Sequence, residues 1–180
     1  MPVPFRDQTE NESHGLAGYL RFVVEPGERG IRAALFYVNS RGEPIDVSLN
    51  RIDTPASFLW RTDEIRRRAV TTLAKALFVA SVKNPTLLLV LADEVPPRVF
   101  TEDLIVEVPL CRVADDGATV HASNEFRELF AEAVNLFWVD EQPTPESPAR
   151  RLLETLHGRK LFTEPFERAA TGLEEAFRAP

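Results

Sequence analysis

Cysteine is almost absent from this sequence of 180 residues. The one thiol, Cys111, has no second cysteine with which to form an internal disulfide, so we expect a reducing, cytoplasmic location. Long apolar runs are absent too. The longest, over residues 69–92, is interrupted by two lysines and an Asn-Pro pair and cannot span a bilayer. The first residues are polar and acidic and do not fit the pattern of a secretory signal peptide.

Positive charge is in the minority, because 28 aspartate and glutamate residues outnumber 21 lysine and arginine residues. The net charge of -7 argues against a broad nucleic-acid footprint and against an anionic membrane surface, although a local basic patch stays open. The densest basic run is Arg66-Arg67-Arg68, which a helix would spread over roughly 200°. That spread favours a solvated helix face, and weak, salt-sensitive phosphate binding is the alternative.

Sequence motifs of catalysis are missing. The glycines are isolated or lie in predicted turns, so there is no phosphate-binding loop, and no nucleophile elbow is present. The three histidines lack the spacing of metal ligands, which argues against zinc. Cys111 falls in a predicted strand, where we expect a small apolar core residue. A nucleophilic role would require a base, and His121 is the candidate.

The patterns that are present predict a mixed α/β protein. An antiparallel three-stranded meander is predicted over residues 19–24, 31–38 and 45–50. The second of these strands is apolar on both faces and should be central. The third alternates, and we expect Ile45, Val47 and Leu49 to face inward.

Further elements follow the meander. Thr62 is predicted to cap a helix whose buried stripe runs from Ile65 to Ala80, and Asn84-Pro85 should end it. An apolar buried strand is predicted over residues 86–92, after which a crossover leads to further elements. These are strands over 105–113 and 118–121 joined by a turn at 115–117, and helices over 123–137, 147–158 and 163–177.

Three regions are expected along the chain. Residues 1–18 are polar and aperiodic and predict a flexible tail. Residues 19–141 form the α/β domain, and residues 142–180 form a C-terminal helical hairpin extension after a Pro-containing hinge. We expect the two amphipathic helices of this extension to pack on the domain, on a protein partner or on a second copy of the chain.

The order of these elements resembles the ribonuclease-H-like fold: a strand meander, a helix, a buried strand, a crossover, a strand and a helix. In that family, acidic residues from the first strand, the first helix, the end of the fourth strand and a late helix hold two divalent ions. These ions activate water and stabilise the leaving oxygen. The resemblance implies catalytic roles for Glu25, Glu64, Asp93 and Glu125.

Among these four residues Asp93 is best placed to bind a metal ion, since ligands of open α/β sheets bind beyond the carboxyl ends of strands. Asp93 has an alternative role, which is to cap the following turn. The first strand departs from the family, because it offers Arg21-Phe22-Val23-Val24 where an aspartate is expected.

Two functions follow from these observations. The first is a non-catalytic interaction or accessory subunit with a ribonuclease-H-like domain, because the sequence shows no convergent set of catalytic residues. Such a protein needs no cofactor. The alternative is a divalent-metal-dependent nuclease of ribonuclease-H-like type, which would act on nucleic acid with Mg²⁺ or Mn²⁺.

Overall fold

A mixed sheet of seven strands forms the centre of the protein. The structure, a computed structural model, describes residues 15–55, 60–115, 125–131 and 134–178. The strands are Leu16–Val24 (β1), Gly30–Asn39 (β2), Pro44–Asp53 (β3), Leu87–Leu91 (β4), Leu110–Asp115 (β5), Glu125–Phe130 (β6) and Val134–Val139 (β7). The helices are Thr62–Ala80 (α1), Pro148–Gly158 (α2) and Glu164–Ala176 (α3), with single helical turns at Pro26–Glu28 and Val99–Asp103.

The strand order is β3-β2-β1-β4-β5-β7-β6. The first three strands form the predicted antiparallel meander. β4 then joins β1 in parallel, and β5 joins β4 in parallel. β7 and β6 complete the sheet as an antiparallel pair. The carboxyl ends of β1, β4 and β5 therefore lie at one edge of the sheet, where ligands of α/β proteins usually bind.

Helices cover both faces of the sheet and divide the core into two layers. On one face Leu73 of α1 shares a buried cluster with Leu35 of β2. On the other face α2 and α3 share a second cluster, in which the rings of Tyr19 and Phe166 meet edge to face at 4.9 Å. β2 contributes to both layers, because Phe36 belongs to the second cluster. The prediction that β2 is central and buried on both faces is confirmed.

The region from Glu125 to Val139 differs from the prediction. A helix is predicted over 123–137 because apolar residues recur there at helical spacing, but the described part forms β6 and β7. The apolar residues fall at helical spacing only by chance, because they come from two strands that are buried to different extents. β7 lies between β5 and β6, so its consecutive residues Leu136, Phe137 and Trp138 are all buried. β6 is an edge strand and exposes Phe126 and Leu129.

The inward face of β3 is also predicted wrongly. Ile45, Val47 and Leu49 are 41%, 51% and 36% exposed. Asp46 and Ser48, on the opposite face, are less exposed. The alternating pattern indicates a half-buried strand, but it does not say which layer covers it. α1 contacts β3 on the polar face, whereas α3 contacts β1 and β2 and leaves the apolar row of β3 open.

Smaller boundaries also move. α1 begins at Thr62 with Arg61 at the cap position, and no side chain caps this end. β5 begins at Leu110, later than the predicted strand over 105–113. The turn after Asp115 and the predicted strand 118–121 lie outside the described residues.

The C-terminal helices pack on the sheet of their own chain. Ser147 caps α2 by accepting a hydrogen bond from the Arg150 amide at 3.2 Å, and Pro148 follows it, as predicted. Leu153 of α2 and Leu173 of α3 belong to the same buried cluster as the strands. Their apolar faces are thus internal, which removes the surface on which the partner prediction depended. Among the described helices, none is long and apolar enough to cross a membrane.

Candidate nucleic-acid interface

A groove of 1690 Å³ opens at the carboxyl ends of β1, β4 and β5. One wall is the first turn of α1 with Arg61 and the residues that follow it. The opposite wall is the segment over residues 92–98, which follows β4. The turn between β1 and β2 and the end of β3 at Thr54 close one side. The position matches the usual binding edge of an open α/β sheet.

Arginine dominates the charge of this groove. Its lining includes four acidic residues, namely Glu28, Asp63, Glu64 and Asp93. It also includes six arginines: Arg29, Arg61, Arg66, Arg67, Arg98 and Arg112. Acids outside the lining pair with three of these arginines, because Arg67 and Arg98 contact Glu102 and Arg112 contacts Glu125. The positive charge that the groove offers to an anion therefore comes from the arginines that no carboxylate neutralises.

Two of these arginines have no carboxylate partner among the described residues. Arg29 is exposed in the turn between β1 and β2. The Nη2 atom of Arg66 donates to the backbone carbonyls of Asp93 and Glu94, both at 3.1 Å, and so fixes the turn after β4. The buried Nε of Arg66 has no acceptor in the described part of the chain. The Arg29 guanidinium is therefore open to an anion in the groove, and Arg66 adds a positive charge that no described carboxylate neutralises.

Other arginines of the groove are paired with acids. Arg67 donates to Asp103 at 2.6 Å and to Glu102 at 3.1 Å. The hydrogen bonds from Arg67 hold the pKa of Asp103 below its ordinary value. Arg61 pairs with Asp63 at 2.9 Å on the exposed rim. These pairs shape the walls and contribute less free charge.

A buried ion pair lies beneath the groove. Nη1 of Arg112 on β5 donates to both carboxylate oxygens of Glu125, at 2.8 and 2.9 Å. Nη2 of Arg112 donates to the Ala92 carbonyl at 2.9 Å. Both charged side chains are fully buried. The pair thus connects β5, β6 and the end of β4 within the sheet.

A second ion pair occupies the junction of β1 and β4. Arg21 of β1 pairs with Glu94, and the Phe22 amide donates to the other carboxylate oxygen of Glu94 at 2.9 Å. Burial raises the pKa of Glu94 to about 7, and the Phe22 amide and Arg21 oppose that rise. The first strand thus places a cation, Arg21, beside the acid that follows β4. Of the two adjacent acids after β4, Glu94 points inward and Asp93 is exposed.

Glu25, the first of the predicted site residues, lies away from the groove lining. Its carboxylate accepts from Arg32 at 2.6 Å and from Arg51 at 2.7 Å. The hydrogen bond from Arg51 is the largest of the effects that lower the pKa of Glu25 to about 2. Glu25 therefore joins the ends of β1, β2 and β3.

The other three predicted site residues lie in or beneath the groove. Glu64 and Asp93 line it, on α1 and after β4 respectively. Glu64 pairs with Arg68 at 3.3 Å, and Glu125 is held by Arg112 beneath the groove. In the part of the chain that the structure describes, no three His, Cys, Asp or Glu side chains are grouped to hold one metal ion. The described acidic residues in and beneath the groove therefore do not form a two-metal centre.

Sequence reasoning singled out Arg66 and Arg67 of the groove, with phosphate binding as the alternative role of their run, but it missed Arg29 and Arg112. Arg29 lies in a turn, and Arg112 lies in an apolar strand, where no motif marks it. The pair of Arg21 and Glu94 was missed for the same reason. The one available signal was charge within strands. An arginine inside an apolar strand predicts a buried carboxylate partner, because an unpaired buried charge is too costly.

Solved structures of endonuclease V are similar to this chain. The Streptomyces avermitilis enzyme aligns with a TM-score of 0.62 and 12% identity, over 93% of this chain and 83% of that one. The catalytic domain of human endonuclease V aligns at 0.55 and 16%, over 91% and 82%. Ciona intestinalis endonuclease V, in complex with an inosine-containing 23mer DNA, aligns at 0.54 and 8%, over 89% and 84%. No protein-family model matches, and no curated protein is significantly similar.

These similarities establish the fold. The chain has the mixed α/β architecture of ribonuclease-H-like nucleases, as the order of its elements predicted. At identities between 8% and 16% the likeness concerns the fold alone. The activity of this chain depends on the residues that line its groove.

Proposed function

We propose that this ribonuclease-H-like chain binds nucleic acid in the groove at the carboxyl ends of β1 and β4. The observation that carries the proposal is that two arginines of the lining, Arg29 and Arg66, have no carboxylate partner among the described residues. Phosphate backbones bind such clusters through charge and counterion release, largely independently of sequence. A similar fold bound to DNA supports this choice of ligand.

The solved structures of similar fold are endonucleases and support cleavage, whereas the described carboxylates support binding alone. A two-metal centre needs several free carboxylates around one point. Here Glu94 is engaged by Arg21, and Glu125 is engaged by Arg112. An accessory protein could hold a nucleic-acid strand and present it to other proteins. This role requires the arginines of the groove and does not require metal ions.

Fluorescence anisotropy with labelled single-stranded and duplex DNA, and with RNA of the same sequence, tests this function. Arg29→Gln should weaken binding about fivefold, the effect of losing roughly 1 kcal/mol from an exposed ion pair. It should also make the plot of log affinity against log salt less steep by about 0.9 for duplex DNA. Because the exposed Arg29 side chain forms no ion pair among the described residues, the fold should keep its stability.

Arg151→Gln is the matched control. Arg151 is an exposed arginine on α2, outside the groove lining, and its loss changes the net charge by the same amount. Its affinity and salt slope should equal those of the wild type. Absence of binding to all three probes at low salt would reject the proposal. Equal losses in the two variants would reject the groove as the binding surface.

A metal-dependent nuclease is the second candidate. Asp93 favours it, because this exposed carboxylate lines the groove just beyond β4. The similar structures are those of endonucleases, which also supports the candidate. Under this candidate Asp93 would bind the metal ion. Glu25, Glu64 and Glu125 would be the further catalytic residues. Cleavage of the same labelled strands in Mg²⁺ or Mn²⁺, lost in Asp93→Asn, would favour this candidate over binding alone.

A further inference from the structure

The turn between β1 and β2 carries Arg29 on a left-handed stretch of backbone. Gly27 has a φ angle of 73°, and Glu28, which is not a glycine, has a φ angle of 54°. A residue with a Cβ atom is disfavoured in this region, because that atom comes too close to the following carbonyl oxygen. The left-handed conformation of Glu28 therefore persists only where the surrounding structure holds it.

Thr54, the residue directly after β3, holds this turn from one side. Its hydroxyl donates to the Glu28 carbonyl, and its amide donates to the Arg29 carbonyl at 3.1 Å. Pro55 follows Thr54 and disfavours helical conformations of its backbone, which keeps Thr54 extended. Two successive carbonyls of the turn are thus bound by one residue whose own backbone is restricted.

The conformation of the turn also determines where the Arg29 side chain lies. The Nε atom of Arg29 is 3.8 Å from the point that a Cβ atom on Gly27 would occupy. The side chain therefore passes close to the backbone of Gly27, and a change in that backbone would move the guanidinium. Four residues of this arrangement line the groove, namely Gly27, Glu28, Arg29 and Thr54.

We infer that Thr54 is a positioning residue for nucleic-acid binding, because its hydroxyl and amide hold the turn in the conformation that presents Arg29 to a phosphate group. This inference rests on the proposed function. Thr54 carries no charge, so its contribution acts through the charge of Arg29. A neutral substitution at Thr54 should therefore change the ionic part of binding, which the loss of a direct neutral contact would not do.

Thr54→Val removes the hydroxyl and keeps the shape of the side chain. In the anisotropy assay with duplex DNA it should weaken binding about threefold, the effect of one lost hydrogen bond. It should also flatten the plot of log affinity against log salt toward that of Arg29→Gln. Thr54→Ser keeps a hydroxyl and should bind like the wild type. Thr155→Val is the matched control, because the Thr155 hydroxyl donates to the Arg151 carbonyl at 2.7 Å, outside the groove lining.

A double variant, Thr54→Val with Arg29→Gln, shows whether Thr54 acts through Arg29. If it does, the loss of the hydroxyl adds nothing once the charge is gone, and the double variant binds DNA as Arg29→Gln does. Losses of affinity that multiply in the double variant would overturn the inference. A Thr54→Val protein with the affinity or the salt slope of the wild type would overturn it too.

Limited digestion with trypsin separates this inference from the proposed function, because it tests the turn without nucleic acid. Trypsin cleaves after arginine, and cleavage between Arg29 and Gly30 requires the turn to open locally. This cleavage should be severalfold faster in Thr54→Val than in the wild type, Thr54→Ser and Thr155→Val. Equal cleavage rates in all four proteins would overturn the inference alone. A wild type that binds none of the nucleic-acid probes would reject the proposed function and, with it, the role of Thr54 in binding.

Discussion

Arg21 of β1 pairs with Glu94, directly beyond β4, at the junction of the two parallel strands that open into the groove. The Phe22 amide binds the same carboxylate, so Glu94 is held from two sides by β1. The pair therefore links the turn after β4 to β1. It also leaves a carboxylate with a raised pKa inside the fold, which makes the stability of the protein depend on pH.

Glu94→Gln tests this dependence. The pKa of Glu94 is raised from 4.5 to about 7 by burial, so between these values the folded chain binds more protons than the unfolded chain. The free energy of unfolding contributed by this group is therefore highest below pH 4.5 and falls as the pH rises toward 7. Relative to Glu94→Gln, the wild type should lose about 1–3 kcal/mol between pH 5 and 7.

Urea unfolding at several pH values, with a chelator present, measures the difference. Glutamine keeps the acceptor for the Phe22 amide but cannot titrate. Glu25 does not interfere, because both proteins contain it and its contribution cancels in the difference between them. Parallel stability curves for the wild type and Glu94→Gln across the window would show that Glu94 does not titrate there.

Leu73→Ala and Phe130→Ala test the two core layers. Leu73 belongs to the α1 layer, and Phe130 packs in the other layer at 5.7 Å from the Phe162 ring. Each truncation should leave a cavity and cost about 2–5 kcal/mol in the free energy of unfolding. Val79→Ala removes an exposed side chain of α1 and should change stability by about 0.5 kcal/mol or less. Losses below about 1 kcal/mol at both buried sites would mean that the layers are assigned wrongly.

The sequence predicts the elements of this fold that have a clear period or strong boundaries. The meander, α1, β4 and the two C-terminal helices fall in this group, because turns and apolar stripes agree with one another, and α2 also has its predicted cap. β6 and β7 do not belong to this group. β7 is buried on both faces and therefore shows no alternation of apolar and polar residues. The apolar residues of β6 and β7 together happen to recur at helical spacing. Periodicity alone cannot separate these cases.

The groove could be predicted only in part. Topology placed Asp93 beyond a buried strand, and the structure has it there, in the lining of the groove. The basic character was hidden, because the net charge of the chain is acidic and the arginines come from distant segments. The partners of Glu25 and Glu125 are arginines of other strands, and only the strand order brings them together. The spacing of these residues in the sequence therefore does not predict the pairs.

Arg112→Met examines the ion pair beneath the groove. Removing Arg112 leaves the buried carboxylate of Glu125 without this partner, which should cost about 3–5 kcal/mol in the free energy of unfolding. Replacing both residues, with Arg112→Met and Glu125→Leu, should restore most of the loss, since a packed apolar pair needs no compensation of charge. Chemical denaturation of the three proteins gives the comparison. A double variant no more stable than the single one would mean that the pair contributes to the fold beyond neutralising its own charges.

Asp93→Asn decides whether the exposed acid of the groove binds a metal ion or serves the structure. The carboxylate lines the groove, and its residue also offers a backbone carbonyl to Arg66. Asparagine keeps an oxygen that can cap the turn, so the melting temperature without metal should stay near that of the wild type. If Asp93 is a ligand, Mg²⁺ or Mn²⁺ raises the melting temperature of the wild type by mass action, and Asp93→Asn loses that rise. We expect no metal-dependent shift in either protein, because no group of three ligands surrounds Asp93 in the described residues. A shift that appears in the wild type and disappears in Asp93→Asn would replace the binding proposal with the nuclease.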